Sequence, residues 1–283
     1  MRGPKGETKV KGSWRTRIVF PALLMAAIFM GAPPPAVCEE SCGGPVLELK
    51  QSDRDALSPL GQGVVGKSLP ACPLHDTAGL MPLREGKWVY RITGGDHEGT
   101  RQEATISKTK GTPARDLWHR AITGDCTEFY SFHGKSNINL ISETNLKHSV
   151  ITRYTPEFTI MFDGMKAGET SQAETVIKIY ALHDPTHLKY EGRLKVTHTY
   201  LGAFEITVPA GKYETVLIKS DYTGKVGPAH VVDGGYTFYA RDVGIVASVE
   251  RLHVTAFIFY DKHIKTPKVL VQQGRNLPEL SSR

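Results

Sequence analysis

The chain of 283 residues is long enough for one large domain or two small ones and for a sizeable core. Its net charge of +6 is concentrated at the start: Arg2, Lys5, Lys9, Lys11, Arg15 and Arg17, against Glu7, leave the remainder close to neutral. That balance excludes the concentrated cationic face with which proteins displace counterions from nucleic-acid phosphates.

The basic start is followed by Ile18 to Ala32, a stretch without charge that is interrupted by Pro21. A basic segment and then a short apolar one is the pattern of an export signal. The stretch falls short of the roughly 20 apolar residues a bilayer-crossing helix needs. Residues 1–38 are therefore read as a signal peptide, with processing between Pro33 and Glu39 around Ala36-Val37-Cys38. Cys38 follows Pro35-Ala36-Val37 and Cys42 follows Glu39-Glu40-Ser41, and both fit a lipoprotein box poorly. The expected location is outside the cytoplasm, in the periplasm or beyond the cell, with membrane contact only through a retained signal or a lipid anchor.

Residues 39–81 are rich in Gly, Pro and Ser, as in Pro70-Ala71-Cys72-Pro73, and read as an irregular lead-in. From 82 to 265 the pattern changes to short runs of β-branched and aromatic residues between turn residues. Strands are predicted over 88–93, 102–108, 116–123, 127–133, 138–143, 148–162, 174–182, 189–200, 204–208, 212–222, 235–240 and 244–260. Leu194, Val196, His198 and Tyr200 alternate with Arg193, Lys195, Thr197 and Thr199, the mark of a strand with one buried face. Pro209-Ala210-Gly211 supplies a fixed φ followed by a permissive residue, so 204–222 is predicted to be one hairpin. Residues 266–283 are read as a C-terminal tail. The expected fold is all-β: a curled antiparallel sheet, or half-open barrel, of meander topology.

The four cysteines, Cys38, Cys42, Cys72 and Cys126, suit an oxidising compartment and allow three complete pairings. The expected bridge is Cys72 with Cys126, because Cys38 and Cys42 lie beside the processing region. No His or Cys pair completes a zinc set.

Gly61-Gln62-Gly63-Val64-Val65-Gly66-Lys67-Ser68 satisfies the spacing of a phosphate-binding loop. Its surroundings do not: no apolar strand precedes Gly61, and Pro70 and Pro73 interrupt the helix that should follow Lys67. No nucleotide is expected there, and no other cofactor anywhere. His183-Asp184-Pro185-Thr186-His187 places two histidines four apart, but Asp184 stands where a metalloprotease has Glu, and Pro185 resists the helix that would align the imidazoles. The pair is read as a turn, with His183 and His187 weak metal candidates. No Gly-x-Ser-x-Gly elbow occurs, and no catalytic residue is assigned. The aromatic residues within strand runs can fill a curled sheet or line a greasy pocket. Trp88, Tyr90, Phe129, Tyr200, Tyr236 and Phe238 are the pocket candidates.

Three segments carry a resemblance: Pro82-Leu83-Arg84-Glu85-Gly86-Lys87-Trp88-Val89-Tyr90, Val208-Pro209-Ala210-Gly211, and Tyr239-Ala240-Arg241-Asp242-Val243-Gly244-Ile245-Val246. Over roughly residues 82–260 their order resembles that in bacterial exported, periplasmic all-β proteins of unassigned function. The first segment has one residue between Gly86 and Trp88 in place of the usual two. The resemblance implies a curled antiparallel sheet, similar in outline to the half-barrels of periplasmic lipoprotein carriers, and implies no activity. The expected function is a non-catalytic envelope protein that binds an apolar small molecule or another envelope protein. An exported hydrolase using His and Asp on loops, and a purely structural domain, are the alternatives.

Overall fold

Side-chain alternation builds this molecule. In a computed structural model, which describes residues 43–112, 115–133, 137–256 and 260–274, strand after strand buries one face and wets the other. Following a short lead-in strand, β1 (Val65–Leu69), come β2 (Gly86–Ile92), β3 (Arg101–Thr112), β4 (Arg115–Ile122) and β5 (Cys126–His133). Next are β6 (Asn137–Asn145), β7 (Val150–Met161), β8 (Thr170–Ala181) and β9 (Leu188–Val208). The chain continues with β10 (Gly211–Val226), β11 (Ala229–Ala240), β12 (Gly244–Ala256) and β13 (Tyr260–Gly274). The expected signal peptide lies outside the described residues.

Each strand from β2 to β13 pairs antiparallel with its sequence neighbours, and β13 returns to pair with β2. The sheet is therefore a closed twelve-stranded barrel, which corrects the half-open alternative. The strand that closes it is β13, and the expected domain boundary at 265 falls inside that strand. Closure gives every strand of the ring a neighbour on both sides, which is how an up-and-down meander avoids pairing with other chains, although β7 and β8 ladder only between Val150–Thr155 and Val176–Ala181.

β9 holds the asymmetry. The two strands predicted over 189–200 and 204–208 are one strand of 21 residues. Its first part pairs with β8, from Leu188 opposite Tyr180 to Thr199 opposite Thr170. Its last part pairs instead with β1, where Ile206 lies opposite Val65. Between the two, Tyr200 faces Ile218 and Gly202 faces Leu217, so Leu201 is bulged out of the β10 ladder. The bulge reverses the parity: Tyr200 points into the barrel, whereas Phe204 and Ile206 pack on its outside. Pro209 and Ala210 form the predicted two-residue turn, and Gly211 follows at φ +139°, a left-handed value that glycine tolerates.

The lead-in is more ordered than its composition implied. Helix α1 (Gln51–Leu57) and the 3-10 turn Ser58–Leu60 lay Ala56, Leu57 and Leu60 on the outer wall, against Phe204, Ile206, Leu217 and Phe238. A buried hydrogen bond from Tyr236 Oη to Asp53 Oδ1, 2.7 Å, pins the helix there. A one-turn helix, α2 (Thr77–Leu80), belongs to a plug at one end of the barrel. Ala71, Leu74, Leu80 and Met81 enter the same cluster as Tyr130, Ile138, Phe158, Met161, Val196, Tyr200 and Tyr239, drawn from opposite sides of the ring. Tyr200 Oη donates to the carbonyl of Cys72 at 3.0 Å, and Leu74 N–H donates to that of Met165 at 2.8 Å.

Among the described residues no helix is long and apolar enough to cross a membrane. The outward faces of β8 to β10 carry Glu174, Lys178, Glu191, Arg193, Lys195 and Lys225, where a transmembrane barrel would carry an apolar band.

Candidate functional site

The plug fills one end of the barrel, and the other end is lined with charge. Strand alternation sends Trp118 and Arg120 of β4, Glu128 and Tyr130 of β5, and Glu143 of β6 inward. Arg120 lies opposite Glu128, and Glu128 opposite Glu143. Arg120 Nε is 2.6 Å from Glu128 Oε2 and its Nη2 donates to Oε1 at 3.2 Å, a two-point ion pair; Tyr130 Oη donates to the same carboxylate at 2.6 Å. Burial works against the Arg120 charge, but Glu128 together with Tyr130, Tyr90 and Cys126 more than offsets it, and the guanidinium stays protonated.

A second ion pair stands across the lumen. Lys268 Nζ of β13 lies 2.9 Å from Glu250 Oε1 of β12 and 3.4 Å from Gln102 of β3. Burial works to raise the Glu250 carboxyl, and Lys268 outweighs it, holding the group below its ordinary range. Glu250 points inward by register, since its neighbour Val249 is buried on the outer wall, and its charge is felt by Tyr222 and Tyr239 across the lumen. Even so, 58% of its side-chain surface is open to water. Protein surrounds this side chain and water reaches it, so water enters this part of the barrel.

Two further acids face the same space, and among the described residues neither has a cation in ion-pair contact. Burial, with Glu128 and Asp125 nearby, pushes Glu143 up to about 7. Burial likewise pushes Asp233 of β11 up to about 6, against a hydrogen bond from Gly234 N–H. Cys126, a free and buried thiol on the inward face, is raised by burial and by the acids around it, which leaves it a poor nucleophile.

The facing wall is apolar. Ile177, Leu194 and Val226 form a cluster with Tyr154, Ile179, Tyr222 and Val231, all contributed by β7 to β11. Phe158 stands at its foot, 5.8 Å from the rings of both Tyr154 and Tyr222. His198 lies behind it: Nε2–H donates to the carbonyl of Thr159 at 3.2 Å, and Nδ1 accepts from the Ser220 hydroxyl at 2.8 Å. Burial lowers the imidazole to about 4, which leaves the ring neutral, and the Thr159 carbonyl then selects the Nε2–H tautomer.

The six aromatic residues expected to line a pocket do not converge. Trp88, Tyr90 and Tyr200 point inward, but Trp88 Nε1 and Tyr90 Oη are spent on the carbonyls of Val243 and Ile245. Trp88 and Tyr90 border an internal cavity of only about 20 Å³. Tyr236 and Phe238 lie on the outer wall beneath α1, and Phe129 packs outside against His119. The reason is parity: residues an even number apart share a face only until a bulge intervenes. The expected Cys72–Cys126 bridge is overturned, because Cys126 is free. His183 and His187 flank a turn in which Asp184 accepts from the Thr186 backbone and hydroxyl, and among the described residues no group of three or more His, Cys, Asp or Glu could hold a metal.

The segment Gly61–Ser68 lines an outer cleft of about 390 Å³, floored by Leu49, Leu57 and Phe204. Its order is the reverse of a phosphate-binding loop: helix precedes it, and Lys67 and Ser68 lie within strand β1. No backbone cradle at a helix N-terminus forms. Arg54, on the cleft's rim, is committed to Glu48 at 3.1 Å and to the carbonyl of Leu49. The lumen charges went unread in the sequence because a single charge within a strand run ordinarily faces outward. The legible signal was a charge in phase with buried aromatics, as in Glu128 with Tyr130.

No protein-family model and no curated protein matches this chain. Solved structures with a similar chain path include a protein from Bacteroides fragilis described as exported and as having a YmcC-like fold. It has a TM-score of 0.44 and 12% identity, over 72% of this chain and 100% of that one. Others are a protein from Parabacteroides distasonis described as a lipoprotein, with a TM-score of 0.34 and 10% identity over 69% of this chain and 97% of that one, and the hypothetical lipoprotein YmcC of Escherichia coli, with a TM-score of 0.34 and 11% identity over 80% and 97%.

Proposed function

We propose that this chain is an exported, non-catalytic envelope protein that holds an amphipathic small molecule in the open part of its barrel. The observation that carries this reading is Glu250, which points into the barrel with 58% of its side chain open to water. Tyr154, Ile177, Ile179, Leu194 and Val231 offer an apolar wall to a ligand's body. Arg120, Glu128, Glu143, Glu250 and Lys268 offer the opposite wall to a polar group. A few placed charges beside apolar surface is the usual make-up of a small-molecule site. The side chains here suit binding better than turnover: Arg120 and Lys268 are each tied to a carboxylate, and the Cys126 thiol is held protonated.

Native mass spectrometry of the chain purified from the periplasm of an expressing bacterium, with organic extraction of the same sample, tests the reading. A reproducible co-purifying amphiphile is the expected result. A bare protein mass that also fails to shift on incubation with lipid extract would remove the support for carriage.

A second reading, docking of another envelope protein, has its own support in β1. Among the described residues β1 is laddered on one side only, by β9, and it forms part of the 390 Å³ cleft.

A further inference from the structure

We infer that the lumen selects ligands bearing a cationic nitrogen, an amine or quaternary ammonium head seated against Tyr154 and Tyr222 between Glu143 and Asp233. The inference rests on the lumen being the binding site and adds the chemistry of what binds.

Two acid–aromatic pairs face each other there. Glu143 of β6 lies opposite Thr152 of β7, and Tyr154 follows two residues along on the same inward face. On the other side Tyr222 of β10 lies directly opposite Asp233 of β11. The ring of Phe158 is 5.8 Å from both tyrosines, so the two pairs meet at one aromatic neighbour. Glu143, Tyr154, Tyr222 and Asp233 are all half-buried, neither sealed into the wall nor free in solvent. Aromatic faces converging on a desolvated volume attract cations through their quadrupoles, most strongly where acids stand close by.

The charge balance points the same way. Arg120 is bound to Glu128, and Lys268 to Glu250. Among the described residues neither Glu143 nor Asp233 has a cation in ion-pair contact, and their acids are held partly protonated by burial. Seating a cation would restore both to full charge. One more polar group on the inward face is unsatisfied: Ser248, next to Lys268 in register and two residues from Glu250, is buried with its hydroxyl unpartnered among the described residues.

The test is a titration of the full chain, as processed by the expressing cell, with three probes of one tail length kept below micelle formation. These are dodecyltrimethylammonium, dodecyl sulfate and dodecyl maltoside, followed by calorimetry and tyrosine fluorescence. The expected result is one-to-one binding of the ammonium probe about tenfold tighter than the sulfate. In the double variant Glu143→Gln, Asp233→Asn that preference falls to near unity. Removing two uncompensated buried acids favours folding, and circular dichroism of the variant checks it. Should the double variant not fold, Tyr154→Leu takes its place, with the same loss of preference expected. Equal binding of all three probes by the natural chain overturns the cation preference and leaves lumen binding standing. A preference unchanged in the variant overturns the assignment to these residues. Failure of every probe to bind overturns both readings together.

Discussion

His198 shows how one side chain can make this barrel sensitive to acid. The imidazole bonds to the carbonyl of Thr159 through Nε2 and to the Ser220 hydroxyl through Nδ1, and Phe158, Phe162 and Tyr222 surround it with aromatic carbon that disfavours the charged ring. Burial lowers its pKa from 6.5 to about 4. Below pH 6.5 the unfolded chain takes up a proton that the folded chain refuses until about pH 4. The stability that the neutral ring contributes is therefore complete above pH 6.5 and is lost progressively as pH falls toward 4. Glu143 and Asp233 act with the opposite sign, since their raised values favour the folded state at low pH and cost stability as pH rises toward 7 and 6. A difference between variants isolates the histidine: urea unfolding of the natural chain and of His198→Gln, each at pH 7 and pH 5, should show the natural chain losing about 2 kcal/mol more on acidification. Parallel losses would mean that the ring is protonated in the folded state. At this scale the sequence was legible in part. His198 was placed within an alternating strand, but nothing in the order of residues distinguishes a histidine on the buried row that is hydrogen-bonded from one that is reactive. Arg120, Glu128 and Glu143 escaped notice because a lone charge in a strand is ordinarily an outward one.

Elements were the most legible level, because a period of two survives in sequence wherever one face is buried. The strand runs from Trp88 to the end of β12 were recognisable for that reason. β13 was not: Lys262-His263-Ile264-Lys265-Thr266-Pro267-Lys268 reads as a polar, proline-broken tail. Pro267 fits because its carbonyl accepts from Thr93 N–H at 2.9 Å, and a proline needs only its acceptor there. The break at Gly202 concealed that β9 is continuous, since a bulge shifts the alternation by one residue. The lead-in concealed α1, whose short amphipathic face, Asp53, Ala56 and Leu57, gains its order from the barrel wall rather than from intrinsic helix stability. That dependence has a measurable consequence at the Tyr236–Asp53 hydrogen bond. Tyr236→Phe keeps the packed ring and strips the donor from a carboxylate that is 5% exposed. Thermal or urea unfolding should show a loss of about 1–3 kcal/mol, the usual cost of orphaning a buried acceptor. Proteolytic cleavage should rise around Gly61 and Gly63, where the chain leaves the helix. A variant as stable and as protease-resistant as the natural chain would show that the apolar contacts of Ala56, Leu57 and Leu60 hold α1 unaided.

For the whole molecule the decisive event is closure, and closure depends on the strand that sequence composition hides. An open curled sheet would expose the ladders of β2 and β12 and leave the lumen side chains in bulk water, where Arg120 with Glu128 and Lys268 with Glu250 would be weak surface pairs. Within a closed ring the same pairs stand between low-dielectric walls, and the hollow they border becomes a defined site rather than a groove. β13 supplies Lys268 to that site, and it supplies Val269 and Leu270, both fully buried, to the core. Ending the chain after Lys265 would therefore do three things together. It would uncover the edge of β2 and the Ala247–Glu250 stretch of β12, remove the buried Val269 and Leu270, and leave Glu250 inside the barrel without its cation. Losing two such side chains alone costs several kcal/mol, comparable with the whole stability of a domain of ordinary size. The truncated chain should lose its cooperative urea transition and associate through the exposed edges, seen by size-exclusion chromatography with light scattering. A truncated chain that remained monomeric and unfolded with the natural midpoint would show that the ring closes without β13, and the lumen would then have to be rebuilt around a direct contact of β12 with β2.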